Sequence, residues 1–222
     1  MCLPARRTRS VSYFRLSAIS MVGAKEVGTD HPIKRMANNL EDWMELLECA
    51  QQDSQLQAFI TIAGITAEDL CLLQRAAPKI VPIVPEVVDL LQANLLQQEQ
   101  IAAKLGQAYG NYAAHLGQWL TNLFSGPHDA GFLRQQEELG KQNVQHKIPP
   151  LYNAFIMSFL RAALPHSFGK NAIAREFPDG ALTAATLRLL DLCQYLTDRA
   201  YTTRLLEVTG ISKSLLDRLM TA

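Results

Sequence analysis

The stretch that decides the fold runs from residue 116 to residue 152. It opens Leu116-Gly117-Gln118-Trp119-Leu120-Thr121-Asn122-Leu123-Phe124-Ser125-Gly126-Pro127-His128-Asp129. It continues through Phe132 and Leu139-Gly140 to Ile148-Pro149-Pro150-Leu151-Tyr152. Tyr112, Leu116, Trp119, Leu120 and Leu123 recur at the spacing of one helical face, which predicts a helix over Gln107 to Phe124. Ser125-Gly126-Pro127 then stops it, because glycine and proline together punctuate regular structure. A second helix is expected over Asp129 to Gln145. The pair Pro149-Pro150 ends it, since proline lacks an amide hydrogen and its ring clashes with the preceding turn. The same prolines are well placed to open a third helix, Leu151 to Leu164, which is apolar on most sides and therefore central.

Outward from this stretch the punctuation stays helical. A long helix is expected over Leu182 to Val208, with Leu182, Ala185, Leu189, Leu192, Leu196 and Ala200 on one face and Gly210 as its C-cap. A short helix over Lys213 to Met220 follows, and Pro165 to Gly180 reads as a loop. Upstream, Thr66 and Asp69 have the spacing of a capping box, with Ile65 and Leu70 placed as its hydrophobic staple. That helix is expected to end near Pro78, and Pro82 and Pro85 mark a kink before Val87, Val88, Leu90, Leu91 and Leu95. Asn39 can cap a helix from Leu40 to about Gln51. Only Phe59-Ile60-Thr61-Ile62 alternates with period two, so a sheet is not expected. The reading is one all-α domain of seven or eight helices spanning residues 38–222.

Residues 1–37 stand apart. Arg6, Arg7, Arg9, Arg15 and Lys25 precede the first acid, Glu26, as in a transit peptide. The blander readings are a disordered tail, or a start at Met21 or Met36. Across the whole chain 21 basic residues balance 21 acidic ones, which removes the net positive footprint of a nucleic-acid binder. With 48% hydrophobic and 19% charged residues, the 222-residue chain has ample material for a core. Cys2, Cys49, Cys71 and Cys193 show no paired spacing and read as buried thiols in a reducing, cytoplasmic setting. Arg161 interrupts the apolar stretch Phe155 to Leu164, and no run reaches the length of a membrane span.

Chemistry-bearing motifs are missing from the sequence: there is no GxGxxG, GxxxxGK[ST], HExxH or GxSxG. His31, His115, His128, His146 and His166 do not pair with cysteines or carboxylates at zinc spacing. The adjacent acids Glu41-Asp42 and Glu137-Glu138 point in different directions on a helix and read as solvated faces. The expectation is a protein that is not an enzyme.

The run Gln118 to Asp129 resembles the end of the E helix and the following loop in globin-coupled sensors and protoglobins. Phe132, Leu139-Gly140 and Ile148-Pro149-Pro150-Leu151-Tyr152 are similar to that family's F helix, F–G turn and G-helix start, and Phe59 to Leu70 to the lead-in to its A helix. The similarity covers about residues 55–208. It implies a globin fold with an extra N-terminal helix, a tetrapyrrole between the E and F helices, and dimers formed through the helices around 151–164 and 182–208. Haem-binding members carry the proximal histidine three residues after the glycine matching Gly140, and here that position is Asn143. Asparagine does not serve as an axial haem ligand, whereas His, Cys, Met and Tyr do.

Two histidines offer rescues. His146 lies on the same helix face as Asn143, about 4.5 Å further along the axis, yet its place in a last turn also suits the helix dipole. His115 falls where the resemblance places a distal-pocket residue, with Tyr112 and Trp119 beside it. It can ligate iron (the one metal ligand proposed), hydrogen-bond a tetrapyrrole, or be a satisfied core histidine. Asn143, Gln136, His115 and Tyr109 are expected to line a polar pocket, or to form an internal hydrogen-bond network without a ligand.

The resemblance extends to non-haem relatives, among them stand-alone globins associated with bilin biosynthesis. The chain ends without a kinase, cyclase or methyl-accepting extension, as expected of that stand-alone kind. Covalent bilin attachment is not expected, because Gln107 to Phe124 contains no cysteine. The leading expectation is a regulatory globin that binds haem or a non-covalent linear bilin and signals to an unknown signalling or biosynthetic partner protein. The alternatives are a ligand-free globin-fold scaffold, and a conventional haem and oxygen sensor using His115 or His146.

Overall fold

The computed structural model describes residues 32–177 and 180–221. Residues 1–31, most of the expected leader, lie outside the described residues. Among the described residues ten α-helices follow one another, against the seven or eight expected: α1 (Pro32–Gln51), α2 (Ser54–Ala63), α3 (Ala67–Ile80), α4 (Val84–Leu96), α5 (Glu99–Tyr109), α6 (Tyr112–Ser125), α7 (Ala130–Gln145), α8 (Pro150–Lys170), α9 (Ala181–Thr209) and α10 (Lys213–Thr221). Short 3₁₀ turns lie at Val81–Ile83 and Ile173–Glu176. No strand occurs among the described residues, and the brief alternation at Phe59–Ile62 lies inside α2.

Local chemistry sets the boundaries. Thr66 closes the expected capping box on α3: its hydroxyl accepts from the Asp69 amide at 3.2 Å, and Asp69 Oδ2 accepts from the Thr66 amide at 3.0 Å. Asp53 caps α2 through the Gln55 and Leu56 amides, and Gly64 ends that helix at φ 67°. The single helix expected over Gln107 to Phe124 is two helices. Gly110 at φ 60° ends α5, and Asn111 caps α6 by accepting from the Ala114 amide. The helix expected to end near Pro78 ends at Ile80, with Pro78 inside its last turn, whereas Pro165, read as the start of a loop, lies inside α8, which runs on to Lys170. Burial outweighs the lost hydrogen bond there, since Ile80, Leu164 and Phe168 are fully buried. The first helix likewise begins at Pro32, ahead of the expected cap at Asn39.

The core gathers around α9, against which α3, α7 and α8 pack, while α6 lies on α3 and α4. Phe124 of α6 meets Phe168 of α8 edge-on at 6.3 Å between ring centres. Gly140 lets α7 approach α9 closely. A methyl group added there would collide with the Thr197 carbonyl oxygen and stand 3.0 Å from the Ala200 Cβ. Arg199 of α9 joins three elements: it pairs with Asp53 at the head of α2, donates to Glu137 of α7 at 2.5 Å, and lies over the Tyr195 ring. Burial alone would push the Asp53 carboxyl up, but the Leu56 amide and the Arg199 guanidinium outweigh it and hold the carboxyl below its ordinary range. No single helix among the described residues is long and apolar enough to cross a membrane.

Candidate functional site

A cavity of about 410 Å³ opens between α5, α6, α7 and α8. Its walls are mainly apolar: Leu105 of α5, Leu116 and Trp119 of α6, Leu139 of α7, and Ile156 and Met157 of α8. Tyr109, Tyr112, His115, Asn143 and Tyr152 set polar atoms among them. The helical spacing of α6 puts Tyr112, His115, Leu116 and Trp119 on one side of the helix, as the sequence reading expected.

Asn143 is buried, with 7% of its surface exposed, and its Oδ1 accepts a 2.5 Å hydrogen bond from the Tyr109 hydroxyl. Burial pushes the Tyr109 phenol up to about 12, so this oxygen remains a donor at neutral pH. The Asn143 amide nitrogen, with two hydrogens to donate, has no partner among the described residues and belongs to a side chain that lines the cavity. A parallel bridge lies deeper: the Trp119 indole nitrogen donates to Gln136 Oε1 at 3.0 Å. Together the two bonds tie α5 and α6 to α7 across the interval between them. Thr197 of α9 completes the set by donating to the Gln136 carbonyl at 3.3 Å.

Two expected site residues sit elsewhere. Gln136 does not line the cavity, because its amide oxygen is turned to Trp119 behind the wall. His146 does not line it either. As the C-cap of α7 it is exposed, and its ring lies 5.4 Å from the Tyr109 ring between centres. His115 does line the cavity, at its exposed rim, 6.0 Å from the same ring. Tyr109 thus packs near two imidazoles, one from α6 and one from the end of α7. Tyr152, quoted above only for the resemblance, and Asn153 and Met157 of α8 also line the cavity, although the sequence reading named none of them as site residues.

The arrangement offers stacking surfaces, apolar walls, hydrogen-bonding amides and hydroxyls, and the carboxylate of Glu138, which lines the cavity and is not merely the solvated face expected of it. No group of three or more metal-ligating side chains occurs among the described residues. An all-α fold with an aromatic-lined cavity between its fifth, sixth, seventh and eighth helices defines a globin-type ligand-binding protein. The family model described as Protoglobin matches residues 52–207, more than half of the chain, and the chain belongs to the protoglobin family. No curated protein matches it.

Proposed function

We propose that the protein is a non-enzymatic regulatory globin whose cavity binds a linear tetrapyrrole non-covalently and reports its occupancy through protein contact. The observation that carries this reading is Asn143: the position three residues after Gly140 holds a buried carboxamide already engaged by Tyr109. A carboxamide supplies no axial bond to haem iron. It does supply donors to an acceptor, and a linear bilin carries lactam carbonyls and carboxylates. Tyr109, Tyr112 and Trp119 present aromatic surface to its conjugated system, and the volume falls in the range of roughly 300–1,000 Å³ typical of organic-ligand sites. An open cavity of this size argues against a scaffold whose haem space has been filled. A haem held from the rim by His115 is the second reading, favoured by the imidazole that lines the cavity there.

Partner contact fits the surface. Leu151 and Phe155 of α8 are exposed at 57% and 44%, and Leu205 and Val208 of α9 at 40% and 53%. These residues fall on the helices through which a homodimer is proposed, and the proposed location is cytoplasmic.

Titration of the purified protein with biliverdin and with haemin tests the assignment by absorption. The expected result is a shifted biliverdin band at micromolar protein and no sharp Soret band with haemin. Absence of both signals overturns the tetrapyrrole reading. A six-coordinate haem spectrum lost in His115→Ala establishes the second reading in place of the first.

A further inference from the structure

A second space of about 150 Å³ lies beside the main cavity, between α4, α5 and α6. Leu91 and Leu95 of α4, Ala102 of α5 and Ala113 of α6 give it a largely apolar lining. Leu105, Tyr112 and Leu116 line both spaces, so the two chambers share a wall in which Tyr112 is the one aromatic side chain. The Tyr112 side chain is half-buried, and its hydroxyl makes no hydrogen bond to another described residue, which leaves it free to donate to a molecule in the cavity. Tyr112 opens α6 directly after the Gly110-Asn111 break. Its ring therefore sits at a helix start, where a side-chain swing disturbs little of the helix.

We infer that the two spaces form one two-chamber ligand site, in which Tyr112 sets specificity: its ring partitions the chambers and its hydroxyl donates to the ligand. The second chamber takes an apolar arm of a ligand whose conjugated, acceptor-bearing body fills the first. Burial pushes the Tyr112 phenol well above its ordinary range, which keeps the donor protonated at any physiological pH. At about 150 Å³ the second chamber has the size of an apolar cavity that accepts benzene, with Gln92 and Asn111 adding polar atoms at its edge. This inference rests on the reading of the main cavity as a tetrapyrrole site, but the second chamber has its own probe.

The experiment pairs Tyr112→Phe and Ala113→Leu with two ligands, biliverdin followed by absorption and benzene followed by thermal shift. Ala113 does not line the main cavity, so a leucine there fills only the second chamber. The expected results are a biliverdin affinity about tenfold weaker in each variant, and a benzene-induced rise in Tm that Ala113→Leu abolishes and Tyr112→Phe keeps. Tyr112→Phe is nearly isosteric, so its ligand-free Tm should match the wild type and separates a lost contact from misfolding. Biliverdin binding unchanged in both variants overturns the inference. If the wild type binds no biliverdin at all, the tetrapyrrole reading falls, and benzene alone judges the chamber: no rise in Tm, or one that survives Ala113→Leu, overturns it.

Discussion

His128 sits in the turn between α6 and α7 with none of its surface exposed. Its Nε2–H donates to the Leu123 carbonyl at 2.9 Å, its ring meets Phe132 edge-on at 5.1 Å, and its Nδ1 has no partner. Burial holds its pKa below the ordinary value, so the folded chain keeps it neutral. The unfolded chain takes up a proton below about pH 6.5 that the folded chain refuses. Stability should therefore be complete above that pH and fall as the pH drops below it, by at most about 1.4 kcal/mol per pH unit from this residue. Chemical denaturation between pH 7 and 5 checks this, and an unchanged slope in His128→Leu would refute it. Asn143 gives a second test at this scale. Asn143→His places an imidazole at the ligand position the family implies, and should confer a sharp Soret band with haemin that the wild type lacks. Its inward orientation was legible, because Gln136, Leu139 and Gly140 flank it at helical spacing. Its partner was not: Tyr109 is 34 residues away, and only the tertiary fold brings the end of α5 to Asn143 near the end of α7.

At the scale of elements, the seam between α7 and α9 is set by Gly140. Gly140→Ala should separate the two helices and destabilise the fold on the order of 1–3 kcal/mol, read from urea midpoints at constant m-value. The helices of the deciding stretch were legible because their apolar spacing and punctuation agree. The break between α5 and α6 was not, since Gly110 and Asn111 interrupt a pattern that continues across them. Pro165 misled in the opposite direction: proline penalises a helix locally, whereas the burial of Leu164 and Phe168 that overrides it is a property of the assembled core. The same limit applied to Gln136, whose inward placement was readable but whose engagement by Trp119 depends on how far apart α6 and α7 stand.

For the whole molecule, Arg199 links the head of α2 to α7 and α9, so the N-terminal helices and the cavity wall share one cation. Partner choice belongs to this scale as well. Light scattering should give about twice the 24.7 kDa chain mass, and Phe155→Glu, which sets a charge on the exposed α8 face, should return it to the single-chain value. A monomer at high concentration in the wild type would refute the dimer. The bridge from Trp119 to Gln136 has one more consequence. Of the two tryptophans in the chain, Trp119 lines the cavity and Trp43 of α1 does not. In a Trp43→Phe background, all remaining indole fluorescence would originate from the cavity wall, so emission wavelength and quenching would follow filling of the site in real time, without any dye.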